Sequence, residues 1–361
     1  MLVGGPSWQG RRVLVTGHTG FKGGWLSLWL RELGADVTGF SLPAPTEPSF
    51  FEQTRLAELV THVEGDVREL AAVEAAVRAA RPEVVFHLAA QPLVRLSYEQ
   101  PVETYATNVM GTAHVLEACR RIDGVRAVVC VTSDKCYENR EWVWPYREGD
   151  PMGGHDPYSS SKGAAELVVS AYRRSFFQAG TRVASVRAGN VIGGGDWAAD
   201  RLVPDIVRAL LAGELPQIRN PDSVRPWQHV LDALSGYLLV AERLLENGNQ
   251  FACGWNFGPS DEDARPVRWI VERMLAASGS TLKWEQPEGA QPHEATLLRL
   301  DSSKARSELG WVPRLRLEDA LRKVVEWHSD VAGGADALEV SRRQLKEYQE
   351  VNSMMSRAQA A

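Results

Sequence analysis

The two residues with the clearest chemical potential in this chain are Tyr158 and Lys162, which stand four positions apart. Side chains at that spacing lie on one face of a helix. An ammonium group beside a phenol favours the phenolate, so we expect the pKa of Tyr158 to lie below its usual value of about 10. Such a phenol can remove a hydroxyl proton during hydride transfer. The same spacing is common in surface helices, so the surrounding elements must decide between the two interpretations.

A second group of reactive side chains follows an apolar segment that is typical of a buried strand. The predicted strand, 127–133, delivers Ser133, Asp134 and Lys135 at its carboxyl end. A hydroxyl, an acid and a base in a row can carry out proton transfer. The alternative is a salt bridge within a loop.

The element that must position both groups is a glycine turn near the start of the chain. An apolar run at 13–15 is followed by Gly17, Gly20 and Gly23 and then by helical spacing of apolar residues at 25–33. Strand, glycine turn and helix in that order favour dinucleotide binding, with the pyrophosphate at the helix N-terminus. A glycine-rich turn without a ligand is the alternative.

Strands alternate with helices through the first two thirds of the chain. We predict strands at 13–15, 35–40, 61–64, 84–88, 127–133 and 183–187 and helices at about 69–80, 102–121, 158–179 and 202–212. This order is typical of an α/β, Rossmann-type, doubly wound parallel sheet, in which ligands bind at the carboxyl ends of the strands.

The pattern changes after residue 188, where the glycines at 193–195 interrupt the alternation. We therefore assign 1–188 to a dinucleotide-binding domain that carries the catalytic residues and 189–330 mainly to a smaller substrate-binding lobe. We predict that 331–361 forms a C-terminal helix and a tail, with 352–361 disordered.

The end of the second predicted strand lacks the acidic residue that usually binds the ribose of NAD. Ser41 stands there instead and can hydrogen-bond a ribose. No arginine follows it closely in the sequence, which favours NAD over NADP. Asp66, after the third strand, can bind the adenine amino group or can cap a helix at 67–80.

Composition narrows the classes of partner. A formal net charge of −6 argues against nucleic acid. No apolar run is long enough to span a bilayer, and the first twelve residues lack the pattern of a signal peptide. The four cysteines have no metal-ligand spacing, so we predict no metal site and expect reduced thiols in a cytoplasmic protein.

Seven motifs extend from the glycine turn into the second half of the chain, at residues 16–23, 87–90, 108–112, 133–135, 158–162, 187–190 and 225–230. Together they resemble the extended short-chain dehydrogenases/reductases, and among them the nucleotide-sugar 4,6-dehydratases. The resemblance extends through about residue 330. Relatives that act on thymidine or GDP-mannose nucleotides carry Asp-Glu where this chain has Asp134 and Lys135, and segments 133–138 and 220–229 are most similar to the enzymes that act on CDP-glucose.

The resemblance implies bound NAD, a nucleotide-sugar substrate, and a homodimer or homotetramer formed through the helices at 102–121 and 158–179. Arg225 is the best candidate to bind the sugar diphosphate, and Arg201 is a weaker one. Asn190 also fits that role, with a loop turn as its alternative. The implied cofactor-binding residues are Gly17, Thr19, Gly20, Phe21, Lys22, Gly23, Ser41, Asp66, Val67, Leu88, Ala89, Ala90, Tyr158 and Lys162.

Each reactive side chain fits one step of a 4,6-dehydration. Oxidation at C4 of the hexose makes the C5 proton removable, water leaves across C5 and C6, and the hydride returns to C6. Tyr158 takes the C4 hydroxyl proton, and Ser133, assisted by Thr132, hydrogen-bonds the developing carbonyl. Asp134 fits the acid that protonates the departing C6 hydroxyl. Lys135 fits the base for the C5 proton, provided that burial or nearby cations lower its pKa.

Two alternatives remain at the level of the sequence. Another nucleotide-sugar 4,6-dehydratase or a 4-epimerase has the same fold, although an epimerase needs only the tyrosine, lysine and hydroxyl set. A non-catalytic NAD-binding protein is the other, but such proteins commonly lose the tyrosine or the lysine, and both are present here.

Overall fold

The computed structural model of the chain describes residues 7–287 and 297–360. Residues 1–6 belong to the N-terminal segment in which we expect no signal peptide, and they lie outside the described residues. The strands within these ranges are β1 (Arg12–Thr16), β2 (Asp36–Ser41), β3 (Thr61–Glu64), β4 (Val84–His87), β5 (Ala127–Val131), β6 (Arg182–Ala188), β7 (Asn190–Ile192), β8 (Val224–His229), β9 (Gly254–Phe257) and β10 (Ala264–Pro266). The α-helices there are α1 (Phe21–Glu32), α2 (Phe50–Gln53), α3 (Leu70–Ala80), α4 (Val94–Glu99), α5 (Pro101–Tyr105), α6 (Gly111–Arg121), α7 (Pro157–Ser175), α8 (Leu202–Ala212), α9 (Val230–Asn247), α10 (Val267–Ala277), α11 (Leu317–Ala332) and α12 (Ala337–Ala360). Among the described helices, none is both long and apolar enough to cross a membrane.

The larger sheet has seven parallel strands in the order β3-β2-β1-β4-β5-β6-β9. Val13 and Val15 of β1 pack with α1 and α9 on one face, whereas Leu14 packs with α3 and α6 on the other. Burial on both faces explains why β1 is a continuous apolar run. The predicted doubly wound parallel sheet is therefore confirmed.

The segment after residue 188 builds a second, smaller layer and then returns to the first. Strands β7, β8 and β10 form a three-stranded sheet that packs with α8, α10 and α11. Strand β9 pairs with β6 in the larger sheet. Residues 230–242 of α9 are all buried against one face of that sheet. The chain after residue 188 therefore contributes strands to both sheets.

The last helix, α12, covers one end of this core. The Tyr348 hydroxyl donates to Asp232 Oδ1 of α9 at 2.8 Å, and its ring meets the edge of Trp29 of α1. The helix ends at Ala360, and residue 361 lies outside the described residues. The disorder expected for 352–361 stays a prediction.

Candidate active site

The carboxyl ends of β1, β2, β4 and β5 open onto one cavity of about 850 Å³. Its position is the one expected for ligands in a doubly wound sheet, beside the point where the strand order reverses between β1 and β4. All of the residues that the sequence assigned to a site line this cavity: Gly17, Thr19, Gly20, Phe21, Lys22, Gly23, Ser41, Asp66, Val67, Leu88, Ala89, Ala90, Thr132, Ser133, Asp134, Lys135, Tyr158, Lys162, Asn190, Arg201 and Arg225.

The glycine turn has the geometry that a pyrophosphate requires. Gly17 has a φ of 77°, and a Cβ there would lie 2.6 Å from the backbone nitrogen of Ala89. A Cβ on Gly23 would lie 2.1 Å from the carbonyl oxygen of Gly17. Helix α1 begins at Phe21 without a side-chain cap, so its N-terminal amides remain for a bound anion.

At the end of β2, two hydroxyl groups stand where an acidic residue is usual. Thr19 Oγ1 and Ser41 Oγ share a hydrogen bond of 2.8 Å. The nearby Asp66 accepts hydrogen bonds from the backbone and the side chain of Arg68, and its pKa is lowered chiefly by that guanidinium. Helix α3 begins at Leu70, three residues later than the predicted 67, with Glu69 at its N-cap. The alternative role of Asp66 as a helix cap is therefore wrong.

The reactive side chains meet at the carboxyl end of β5. Residues 134–136 form one short 3₁₀ turn, in which the Lys135 amide donates to Ser133 Oγ at 3.2 Å. Ser133 Oγ donates to Asp134 Oδ1 at 3.0 Å and is also hydrogen-bonded to the Tyr158 side chain. Tyr158 and Lys162 lie in the first two turns of α7, and both are buried.

Burial controls the ionisation of these groups. It raises the pKa of Asp134, although Lys135 and the bond from Ser133 oppose the shift. It lowers the pKa of Lys162 to about 8, with a further contribution from Lys22. It raises the pKa of Tyr158 to about 12, so the prediction of a lowered value is wrong for the protein alone. The desolvation of the phenolate outweighs the hydrogen bond with Ser133 and the charge of Arg201, both of which lower the pKa of Tyr158.

The sequence predicts that the Thr132 hydroxyl assists Ser133. In the structure this hydroxyl donates to Glu166 Oε1 of α7 at 2.5 Å. The hydroxyl proton is therefore engaged inside the protein and does not assist Ser133. The sequence pattern gave no sign of this, because Glu166 lies 34 residues away.

Arginines line the far end of the cavity. Arg225 is buried on β8, and Arg201, at the start of α8, pairs with Asp196 at 3.1 Å. Sequence reasoning missed two more cavity arginines, Arg95 and Arg219, each of which lies 3.3 Å from Asp200. Arg219 belongs to a loop rich in proline and arginine, which was the available signal. Arg95 has no comparable signal.

Most of the chain is similar to sugar-nucleotide enzymes. The family model described as GDP-mannose 4,6 dehydratase matches residues 14–324. A CDP-glucose 4,6-dehydratase of Salmonella typhimurium is 56% identical over 347 residues, which cover 94% of this chain and 97% of that protein. A dTDP-glucose 4,6-dehydratase of Streptomyces antibioticus is 29% identical over 328 residues, covering 88% of this chain and 92% of that protein.

The solved structures give the same placement. The dTDP-glucose 4,6-dehydratase of Streptomyces venezuelae, determined with NAD bound, has a TM-score of 0.75 at 26% identity and covers 91% of this chain and 99% of its own. The resemblance inferred from the motifs is thus confirmed over most of the chain. The chain belongs to the family that the GDP-mannose 4,6 dehydratase model describes, within the extended short-chain dehydrogenases/reductases.

Proposed function

We propose that this protein is an NAD-dependent lyase that converts CDP-glucose to CDP-4-dehydro-6-deoxyglucose. The observation that carries the dehydration is Asp134, a buried carboxyl group beside Ser133 and Tyr158 whose pKa burial raises. An epimerase has no use for such an acid. The 56% identity to the Salmonella enzyme supports CDP-glucose as the substrate.

The residues present fit NAD. Gly17 and Gly23 leave the space that a side chain would fill, and the N-terminus of α1 faces the cavity. The hydroxyls of Thr19 and Ser41 can bind ribose oxygens. Arg68, which lines the cavity beside Asp66, is held by Asp66 and Glu103, which disfavours a 2′-phosphate.

The reactive residues form two proton-transfer sets, one for oxidation at C4 and one for the elimination of water. NAD, when bound, supplies a reversible two-electron acceptor whose oxidised form carries positive charge. Positive charge in the cavity lowers the pKa of the Tyr158 phenol and so favours the phenolate, which removes the C4 hydroxyl proton while Ser133 hydrogen-bonds the forming carbonyl. Asp134 protonates the C6 hydroxyl as it leaves, and Lys135 removes the C5 proton.

The diphosphate of the substrate is bound at the arginine end of the cavity. Arg225 and Arg201 supply charge and paired N–H donors for phosphate oxygens, and Asn190 supplies an amide. Arg95 and Arg219 add charge at the same end, where Asp200 holds both.

The assembly we propose is a homodimer or homotetramer whose helices α5, α6 and α7 pack against those of a second copy. Exposed apolar side chains on this surface are Val102, Tyr105, Met110, Leu167 and Phe176. We also propose a cytoplasmic location, because none of the four cysteines, all within the described residues, is in a disulfide.

The test is incubation of the purified protein with CDP-glucose, dTDP-glucose, UDP-glucose and GDP-mannose in D₂O. We expect a 4-keto-6-deoxy product from CDP-glucose, one solvent deuterium at C5, and no net release of NADH. The matching product from another nucleotide alone would reassign the substrate. A C4 epimer without deuterium at C5 would reassign the reaction.

A further inference from the structure

The catalytic turn at residues 133–136 is anchored on both sides by a buried network whose members, apart from Thr132, lie outside the cavity. On the leading side, Thr132 Oγ1 donates to Glu166 Oε1 at 2.5 Å. On the trailing side, Arg187 Nη1 donates to the Tyr137 hydroxyl at 2.6 Å, and that hydroxyl donates to Asn256 Oδ1 at 2.7 Å. The two anchors are therefore the residues immediately before and after the turn.

One ion pair joins the two anchors. Arg187 Nε and Nη2 donate to Glu166 Oε1 and Oε2, both at 2.8 Å, so the pair is bidentate. The side chains are only 5% and 4% exposed. Burial disfavours the charged carboxylate, but Arg187 and the hydroxyls of Thr132 and Ser185 hold the pKa of Glu166 below its usual range. The pair is thus charged and fully hydrogen-bonded.

The same carboxylate is rigidly connected to the redox residues. Glu166 lies on α7 one turn after Lys162 and two turns after Tyr158, and all three are buried. Helix α7 fixes the distance from Glu166 to the phenol, and the ion pair fixes the distance from Glu166 to the turn that carries Asp134 and Lys135. The oxidation set and the elimination set are therefore connected through this bidentate contact, in addition to the direct packing of the turn against α7.

We propose that Glu166 and Arg187 are positioning residues that hold the turn at 133–136 in register with Tyr158 and Lys162. The inference rests on the proposed dehydration. The two stages use different residues of the turn. Oxidation at C4 needs Ser133, which also contacts Tyr158, whereas elimination needs the carboxyl group of Asp134 at C6. Loosening the trailing anchor displaces Asp134 more than it displaces Ser133, because Ser133 directly follows Thr132, whose hydrogen bond to Glu166 is retained.

The decisive variant is Tyr137→Phe, which removes one hydroxyl outside the cavity and keeps the buried ring. In single-turnover experiments with CDP-glucose we expect NADH to form at close to the wild-type rate and then to decay about tenfold or more slowly, since small misplacements of reacting groups are costly. Ser185→Ala is the matched control. It also deletes one buried hydroxyl of the network, but that hydroxyl does not contact either anchor, so we expect wild-type partitioning.

A second variant, Glu166→Gln, keeps the shape of the side chain and weakens both anchors, and we expect it to accumulate NADH more strongly than Tyr137→Phe. A purely structural role would lower the melting temperature and reduce both stages equally. Equal slowing of both stages, or unchanged partitioning in Tyr137→Phe, overturns the inference. Failure of the proposed function itself is distinguishable, because the wild-type protein would then give no 4-keto product from CDP-glucose.

Discussion

The Asp134 carboxyl group has two oxygens in different surroundings. Oδ1 accepts the hydrogen bond from Ser133, whereas Oδ2 is buried without a partner among the described residues. An ionised carboxylate is costly in such a place, so the burial that raises the pKa of Asp134 favours the acid form. In the proposed mechanism, a proton held on Oδ2 is the one that passes to the departing C6 hydroxyl.

Asp134→Asn separates the two stages of the reaction. The amide keeps the shape of the side chain but cannot act as an acid, so elimination should slow by about two to four orders of magnitude. C4 oxidation should persist, because Tyr158, Ser133 and Lys162 are unchanged. A single-turnover absorbance trace should show bound NADH, and mass analysis after acid quench should show the 4-keto-glucose nucleotide. Absence of NADH in a variant that still binds substrate would assign Asp134 to the oxidation step.

Tyr158→Phe should stop the reaction before NADH forms. Loss of the phenol removes the base for the C4 hydroxyl proton, and we expect turnover to fall by at least about two orders of magnitude. Binding of CDP, measured by calorimetry, should be retained. Tyr98→Phe is the control, because Tyr98 also lines the cavity but is 48% exposed and lies outside the reactive cluster. Near wild-type turnover in Tyr158→Phe would remove this residue from the mechanism.

At the scale of the elements, the sequence predicted those helices, strands and turns that depend on residues close together in the chain. The run at Val13–Val15 and the glycine spacing after it are local signals, and β1, the turn and α1 lie where those signals put them. The partner of Thr132 and the raised pKa of Tyr158 could not be predicted, because both depend on burial by distant segments. The membership of β9 in the larger sheet was missed for the same reason.

The helices α5, α6 and α7 make the proposed assembly testable. Leu167 is 62% exposed on the outer face of α7. Leu167→Glu should place a charge in the contact between copies and shift the protein towards monomers, as measured by light scattering across a dilution series. Leu211→Glu, at an exposed leucine of α8, is the matched control and should leave the mass unchanged. An unchanged mass in Leu167→Glu would exclude this face as the interface.

At the scale of the whole molecule, buried histidines make stability depend on pH. Burial lowers the pKa values of His87, His229 and His328 to about 3 and that of His18 to about 4. In the unfolded chain these groups titrate near their usual value of about 6.5, so the unfolded chain binds protons first as the pH falls. As the pH falls below about 6.5, the free energy of unfolding therefore decreases by roughly 1.4 kcal/mol per pH unit for each group.

The expected outcome is a lower melting temperature at pH 5 than at pH 7.5 at fixed NAD concentration. Asp232 opposes part of this change, because burial raises its pKa to about 6 and the folded state then retains a proton that the unfolded chain releases. His328→Gln should reduce the pH dependence by the share of one histidine. Equal melting temperatures at the two pH values would show that the buried histidines are protonated without cost.

The position of β9 has a consequence for how the protein is made. During translation, β6 leaves the ribosome with one edge unpaired, and its neighbour β9 is synthesised only after β7, α8, β8 and α9. At roughly 5–20 residues per second, that edge stays open for several seconds, and open strand edges pair readily with other chains. Nascent chains arrested between residues 190 and 250 should therefore bind chaperones and resist protease poorly, whereas chains arrested well beyond residue 257 should be protected.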